Sequence, residues 1–109
     1  MDNKKIINFE NVTVPKQTNI YYDGKVVSNS ILFDDGTKKT LGVMQVGTYN
    51  FGTELAEIME ILSGNVKVKL KNENEFKSYK GGETFNVDAN SDFDIEVLEV
   101  ASYCCSYIK

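Results

Sequence analysis

The chain has 109 residues, with 16 acidic and 12 basic side chains, a net charge of −4 and no histidine. The length suits one domain whose core buries roughly 60–65% of the unfolded surface. The acidity argues against a general nucleic-acid or membrane-surface binder, since phosphate backbones demand a basic footprint. Without imidazole, the usual general acid–base and the commonest metal ligand are missing, so any chemistry runs on carboxylates, lysines, tyrosines, cysteines, hydroxyls and backbone.

In chain order, residues 1–20 are polar, hold the only proline (Pro15) and read as an extended N-terminal arm. The arm can pair a strand through Ile6–Phe9 or Val12–Val14, and residues 21–109 form the domain proper. No apolar leader opens the chain, and no apolar run approaches the ~18 residues of a membrane span, so a cytoplasmic protein without membrane contact is expected. Asp23-Gly24 signals a turn, and Val26, Val27 and Ile31–Phe33 are β-prone. Asp34-Asp35-Gly36 supplies the positive φ of a hairpin turn. The run Thr40–Val46 reads as a buried strand closed by Gly47.

Between Gly47 and Gly64 the pattern is ambiguous. Leu55, Ile58, Met59 and Leu62 fall at helical spacing. However, Thr53 has no Glu or Gln three residues on to complete a capping box, and the run is short for a helix. From pattern alone, strand and helix stand level.

The second half is plainer. Val66, Val68 and Leu70 alternate with Lys67, Lys69 and Lys71, a half-buried strand with a solvated cationic outer face. Phe76–Tyr79 and Thr84–Val87 are short strands separated by the Lys80-Gly81-Gly82 turn, and 88–92 is a loop of self-bonding polar residues. Phe93, Ile95 and Val97 face one way, an irregularity near Leu98 suggests a bulge, and Tyr103, Cys105 and Tyr107 share one face. The adjacent Cys104 and Cys105 read as reduced thiols in a buried strand, because neighbouring cysteines resist bridging. Strands this short, with turns this frequent, make an all-β sandwich or barrel.

Several short motifs fall in order over most of the chain: GKVxS at Gly24–Ser28, GVM at Gly42–Met44, GxYxFxT at Gly47–Thr53, ExM at Glu57–Met59 and SG at Ser63–Gly64. GxxFNV at Gly82–Val87, SxF at Ser91–Phe93 and YxCxY at Tyr103–Tyr107 complete the series. In these motifs, from Tyr22 to Ile108, the chain resembles the pyrimidine/purine nucleoside phosphorylase family of small cupins. The resemblance implies a small single-domain cupin-type β-barrel, jelly-roll-like, and so a strand over 57–62. It also implies a reaction in which phosphate and a purine or pyrimidine nucleoside give free base and (deoxy)ribose 1-phosphate. It further implies a homodimer that needs no metal and no cofactor beyond inorganic phosphate as co-substrate.

In the general cupin frame, the first motif places two histidines and a glutamate before a glycine. Here Thr53 and Leu55 take the histidine places, Glu57 keeps the glutamate place before Gly64, and Phe93 stands where the second motif's histidine belongs. One carboxylate without imidazole makes no tight transition-metal site, so no metal is expected. Glu57 is the candidate for gripping ribose hydroxyls, set against a purely structural carboxylate, and Thr53 is a neighbouring hydroxyl donor. Both are the candidate catalytic pair. Lys38, or Lys39 beside it, is the candidate phosphate ligand, where the family often has arginine. Tyr49, Phe51, Phe85, Phe93, Tyr103 and Tyr107 are candidates to stack on a base, although so small a barrel also needs aromatics for its core. Met59 lines the interior, and Asn90 and Ser91 in the loop before Phe93 complete the substrate-binding set. The chain departs from the family pattern at Asp88 and Asn90, which replace a PxH motif, at Ser106, usually arginine, and at Phe76, often tryptophan. Those departures keep open a non-catalytic nucleoside-binding cupin, or a structural dimerisation unit with a filled barrel.

Overall fold

The strands form where β-prone runs alternate between core and solvent, and most are joined by turns built on Gly, Asp or Asn. The computed structural model describes residues 7–109. It contains β1 (Asn19–Tyr21), β2 (Val26–Leu32), β3 (Lys38–Met44), β4 (Gly47–Gly52), β5 (Ala56–Leu70), β6 (Lys77–Lys80), β7 (Thr84–Val87) and β8 (Asp92–Ile108). Among the described residues the only helical element is one 3-10 turn, Tyr22–Gly24.

All strand pairings are antiparallel, in the order β1-β2-β3-β8-β5-β6, with β4 added to β8 and β7 added to β5. The long strands β5 and β8 carry the architecture. The first half of β8 lies between β4 and β5, and its second half lies between β3 and β5. β5 likewise takes β7 along its first half and β6 along its second. This is the expected all-β, cupin-type fold.

At the midpoint the ladder loses step. Ile61 faces Tyr103 and Val66 faces Val97, so β8 carries one more residue than β5 between these pairs. The irregularity expected near Leu98 is therefore present, and Leu98 and Val100 are turned to solvent there. Gly64 makes the crossing feasible. Its φ is +100°, and an added Cβ would come within 2.5 Å of the Val100 carbonyl oxygen.

The 54–62 segment resolves as strand from Ala56 onward, and the helical alternative is set aside. Met59 and Ile61 are buried while Ile58, Glu60 and Leu62 are not, a period of two. Three of the four residues at helical spacing (Leu55, Ile58 and Leu62) are in fact exposed. Pairing with β7 on one side and β8 on the other decides the conformation, which local spacing could not. The Thr40–Val46 run is half-buried: Thr40 and Met44 point inward, Val43 and Val46 outward.

In the arm, Thr13 exchanges two backbone hydrogen bonds with Leu32, 2.9 and 2.8 Å, so the Val12–Val14 pairing reduces to one bridge. Of the alternative Ile6–Phe9 pairing, Ile6 lies outside the described residues and 7–9 form no strand. Phe9 instead packs edge-on against Phe33, 5.2 Å between ring centroids. The lysine stripe faces outward and meets acidic partners on β8: Lys67 stands opposite Glu96, and Lys69 Nζ lies 4.0 Å from Asp94.

The core runs along the inner faces of β5 and β8. Ile61, Val66 and Val68 meet Ile95, Val97 and Ala101, all at most 1% exposed.

Candidate active site

Strand register assembles the site. On the inner faces, Thr40 stands opposite Cys105, Cys105 opposite Met59, and Tyr107 opposite Glu57. Gly42 stands opposite Tyr103, and the missing side chain is what admits the phenol: a Cβ at Gly42 would lie 2.7 Å from the Tyr103 hydroxyl oxygen. Between these rows lies a cavity of ≈ 150 Å³, a space that takes a six-membered ring. Aromatic faces from Phe51 and Phe93 bound it on one side, with Met44 and Met59 as apolar floor. Ser28, Thr40, Glu57, Tyr103, Cys105 and Tyr107 supply polar atoms.

No lysine or arginine lines this cavity, and Glu57 is its one carboxylate. Burial raises the Glu57 pKa, and a hydrogen bond with the Cys105 thiol pulls it back only in part. Burial and the adjacent Glu57 push the Cys105 thiol up to about 12, so it stays protonated and is no nucleophile. Burial likewise raises Tyr107, which a hydrogen bond with Thr40 offsets in part; the two hydroxyl oxygens are 3.5 Å apart. Tyr103 is pushed up to about 12, again mainly by burial, with Ser28 as its hydrogen-bond partner. Asn19 Nδ2 donates to Ser28 Oγ at 3.2 Å, tying that hydroxyl to β1. The cavity therefore presents neutral hydrogen-bonding groups around one carboxyl whose ionisation is resisted.

Five of the expected residues, Glu57, Phe51, Met59, Phe93 and Tyr103, line the cavity together. Tyr107, named as a stacking candidate, lines it as well. The other expected residues lie elsewhere. Thr53 is buried, and its hydroxyl donates to the Asp88 carbonyl at 2.7 Å and accepts from the Ser91 N–H at 3.0 Å, so it is used in locking the 88–91 loop. Asn90 is exposed at φ +54° in that loop, and its N–H donates to the Glu54 carbonyl at 3.2 Å. Tyr49 and Phe85 are core residues: Tyr49 donates its hydroxyl to the Gln45 carbonyl, and Phe85 packs between Tyr79 and Phe93. Lys38 sits outside, 5.2 Å from the Tyr107 ring centroid, in a larger outer hollow of ≈ 610 Å³ shared with Tyr107 and Lys109. Lys39 faces away, over the Phe9 ring.

Sequence reasoning missed Ser28 and Thr40. Their signal was parity. Ser28 shares an inward phase with Val26, and Thr40 with Met44, so each is a hydroxyl placed where an apolar residue is expected.

The sequence pattern of the pyrimidine/purine nucleoside phosphorylase family matches residues 16–107. The chain belongs to that family. A pyrimidine/purine nucleoside phosphorylase of Hydrogenovibrio crunogenus is 61% identical over 100 residues, 92% of this chain and 96% of the relative. One from Leptospira interrogans serovar copenhageni is 54% identical over 101 residues, 93% and 95% of the two chains. The crystal structure of a protein of unknown function from Acinetobacter sp. ADP1 superposes with a TM-score of 0.90 at 41% identity, covering 93% of this chain and 98% of that one. The match spans nearly the whole length of these relatives, and every residue lining the cavity, from Tyr21 to Tyr107, lies within residues 16–107. Among the described residues no group of three or more Cys, Asp, Glu or His converges as a metal site.

Proposed function

We propose that the protein is a nucleoside phosphorylase of broad specificity, which converts a purine or pyrimidine nucleoside and phosphate to free base and (deoxy)ribose 1-phosphate. Family membership sets the reaction class. The observation that carries the reading to this site is the cavity: an aromatic wall made by the packed Phe51 and Phe93 rings, with Glu57 and a set of neutral hydroxyls beside it. A phosphate oxygen bonds to the anomeric carbon while the C–N bond breaks, and the bonding pair leaves with the base. This needs a ring slot, a grip on the sugar and placement of an anion, which positioning and electrostatics supply without a covalent intermediate. A slot with few polar contacts to the base suits tolerance for many bases.

In this reading Glu57 faces the sugar–base junction, with Phe51, Phe93, Met59 and Tyr103 around the substrate. The Ser28 and Thr40 hydroxyls offer partners to the ribose. Thr53, Asn90 and Ser91 shape the loop and do not touch the substrate, and Tyr49 and Phe85 hold the aromatic wall from behind. Phosphate enters from the outer hollow, where Lys38 reaches the Tyr107 ring. Lysine there acts as a point charge, without the forked grip of arginine. The enzyme works without a resident metal, as a cytoplasmic homodimer. Two free, buried cysteines suit a reducing compartment. Exposed Val43, Ile58, Leu62, Leu98 and Val100 on β3, β5 and β8 offer apolar surface for a second copy. Residues 1–20 act as an arm on the 21–109 domain.

A second reading, a nucleoside-binding cupin without turnover, is favoured by one observation: no cation lines the cavity. Incubation with uridine, inosine and adenosine, with and without phosphate, separates the two. Base release that requires phosphate is the expected result. A ligand-induced rise in Tm without release would establish the binder instead.

A further inference from the structure

The geometry points to Glu57 as the proton donor to the departing base, acting as a neutral carboxylic acid; this rests on the phosphorylase reading above. The expectation from sequence is a carboxylate that grips ribose hydroxyls, an acceptor role. The surroundings argue for the opposite protonation state. Glu57 lies on β5 between β7, where it pairs with Val87, and β8, where it pairs with Tyr107. From β8 it meets the Cys105 thiol, with the phenols of Tyr103 and Tyr107 close by; from β3 comes the Thr40 hydroxyl, through Tyr107; from β7 come only Val87 and Phe85 as inward residues. Every titratable group facing it is neutral, and none is a cation. Lys38 is separated from the cavity by the Tyr107 ring, which it approaches from the outer hollow. A carboxyl so placed gains no ion pair to offset burial, which raises its pKa above the ordinary carboxylate value and makes it a better-matched acid near neutral pH.

Such a group has work to do in this reaction. When the C–N bond breaks, its electron pair stays on the base nitrogen, and a neutral base is a far better leaving group than its anion. Glu57 gives its proton to the base as the phosphate oxygen closes on the anomeric carbon. The proton that arrived on hydrogen phosphate is released with the sugar phosphate product and restores the acid through solvent. Cys105, Tyr103 and Tyr107, which surround Glu57, are poorly suited to the step, because their proton affinities are raised far above neutrality.

The test compares leaving groups. Inosine needs protonation to release hypoxanthine, whereas cationic 7-methylguanosine releases a neutral base without it. Glu57→Gln keeps shape and hydrogen bonding but has no transferable proton. The expected result is a loss of about 100-fold or more in kcat/KM on inosine and less than about 10-fold on 7-methylguanosine, with Glu57→Asp intermediate on inosine. Equal losses on both substrates, or Asp no better than Gln, would overturn the donor role while leaving the phosphorylase reading intact. Absence of phosphate-dependent release by the wild-type protein would overturn both.

Discussion

At Glu57, burial and the Cys105 thiol act on the carboxyl in opposite directions, and burial dominates. The folded chain therefore holds this proton more tightly than the unfolded one. Its contribution to stability is fully present below the ordinary value near 4.5 and is lost as pH rises through the raised folded value. Unfolding curves across that window should show wild-type stability falling with pH relative to Glu57→Gln, and the Gln variant should be the more stable at neutral pH. Identical pH dependence in the two proteins would mean that folding leaves the Glu57 pKa unshifted, and wild-type stability rising with pH relative to the Gln variant would mean that Glu57 is ionised and paired. Thr53 behaves differently. Its buried hydroxyl makes two hydrogen bonds to the 88–91 loop, so Thr53→Val should cost about 1–3 kcal/mol in denaturant unfolding. kcat of the folded protein should stay within a few-fold; a collapse of kcat with stability intact would return Thr53 to the catalytic set.

Among the elements, β5 and β8 do most of the organising, and they also mark the boundary of what sequence could tell. Alternation identified the second half of β5 from Val66 to Leu70, because the lysines on its outer face kept the period clean. The first half carried apolar residues on both faces, with Ile58 and Leu62 exposed beside buried Met59 and Ile61, so periodicity could not separate strand from helix. Motif order settled the conformation there, and the partner strands explain it. Glu57 was legible by its place in the motif frame, since Glu54 and Glu60 stand in the same run. Ser28 and Thr40 carried only the weaker signal of parity with Val26 and Met44, and which strands face Glu57 is set by the pairing of β2 with β3 and of β3 with distant β8. Lys38 is singled out by its place past the hairpin turn and Thr53 by its place in the cupin frame, but Lys38 stands at the strand end in the outer hollow and the Thr53 hydroxyl is taken up by the 88–91 loop. The crossing of β5 and β8 gives a sharp test. Gly64→Ala sets a Cβ 2.5 Å from the Val100 carbonyl in a left-handed conformation, and should lower stability by about 1–3 kcal/mol. An unchanged unfolding midpoint would show that the crossing yields easily.

On the scale of the whole molecule, the barrel keeps the cupin arrangement of a side-chain-lined interior between sheet halves, without histidine in the chain. A cavity that takes a ring, a single carboxyl with a raised pKa and a set of hydroxyls occupy the interior, and Lys38 stands outside it beside Tyr107. Tyr107 borders both hollows, and in the proposed reaction nucleoside and phosphate approach from these two sides. The direct measurement is a phosphorus NMR time course of the purified protein with uridine and inorganic phosphate. The account predicts a pentose 1-phosphate resonance that grows at the rate at which uracil is released, and no uracil when phosphate is omitted. Uracil released without phosphate, or no new phosphorus signal while uridine binds, would contradict it.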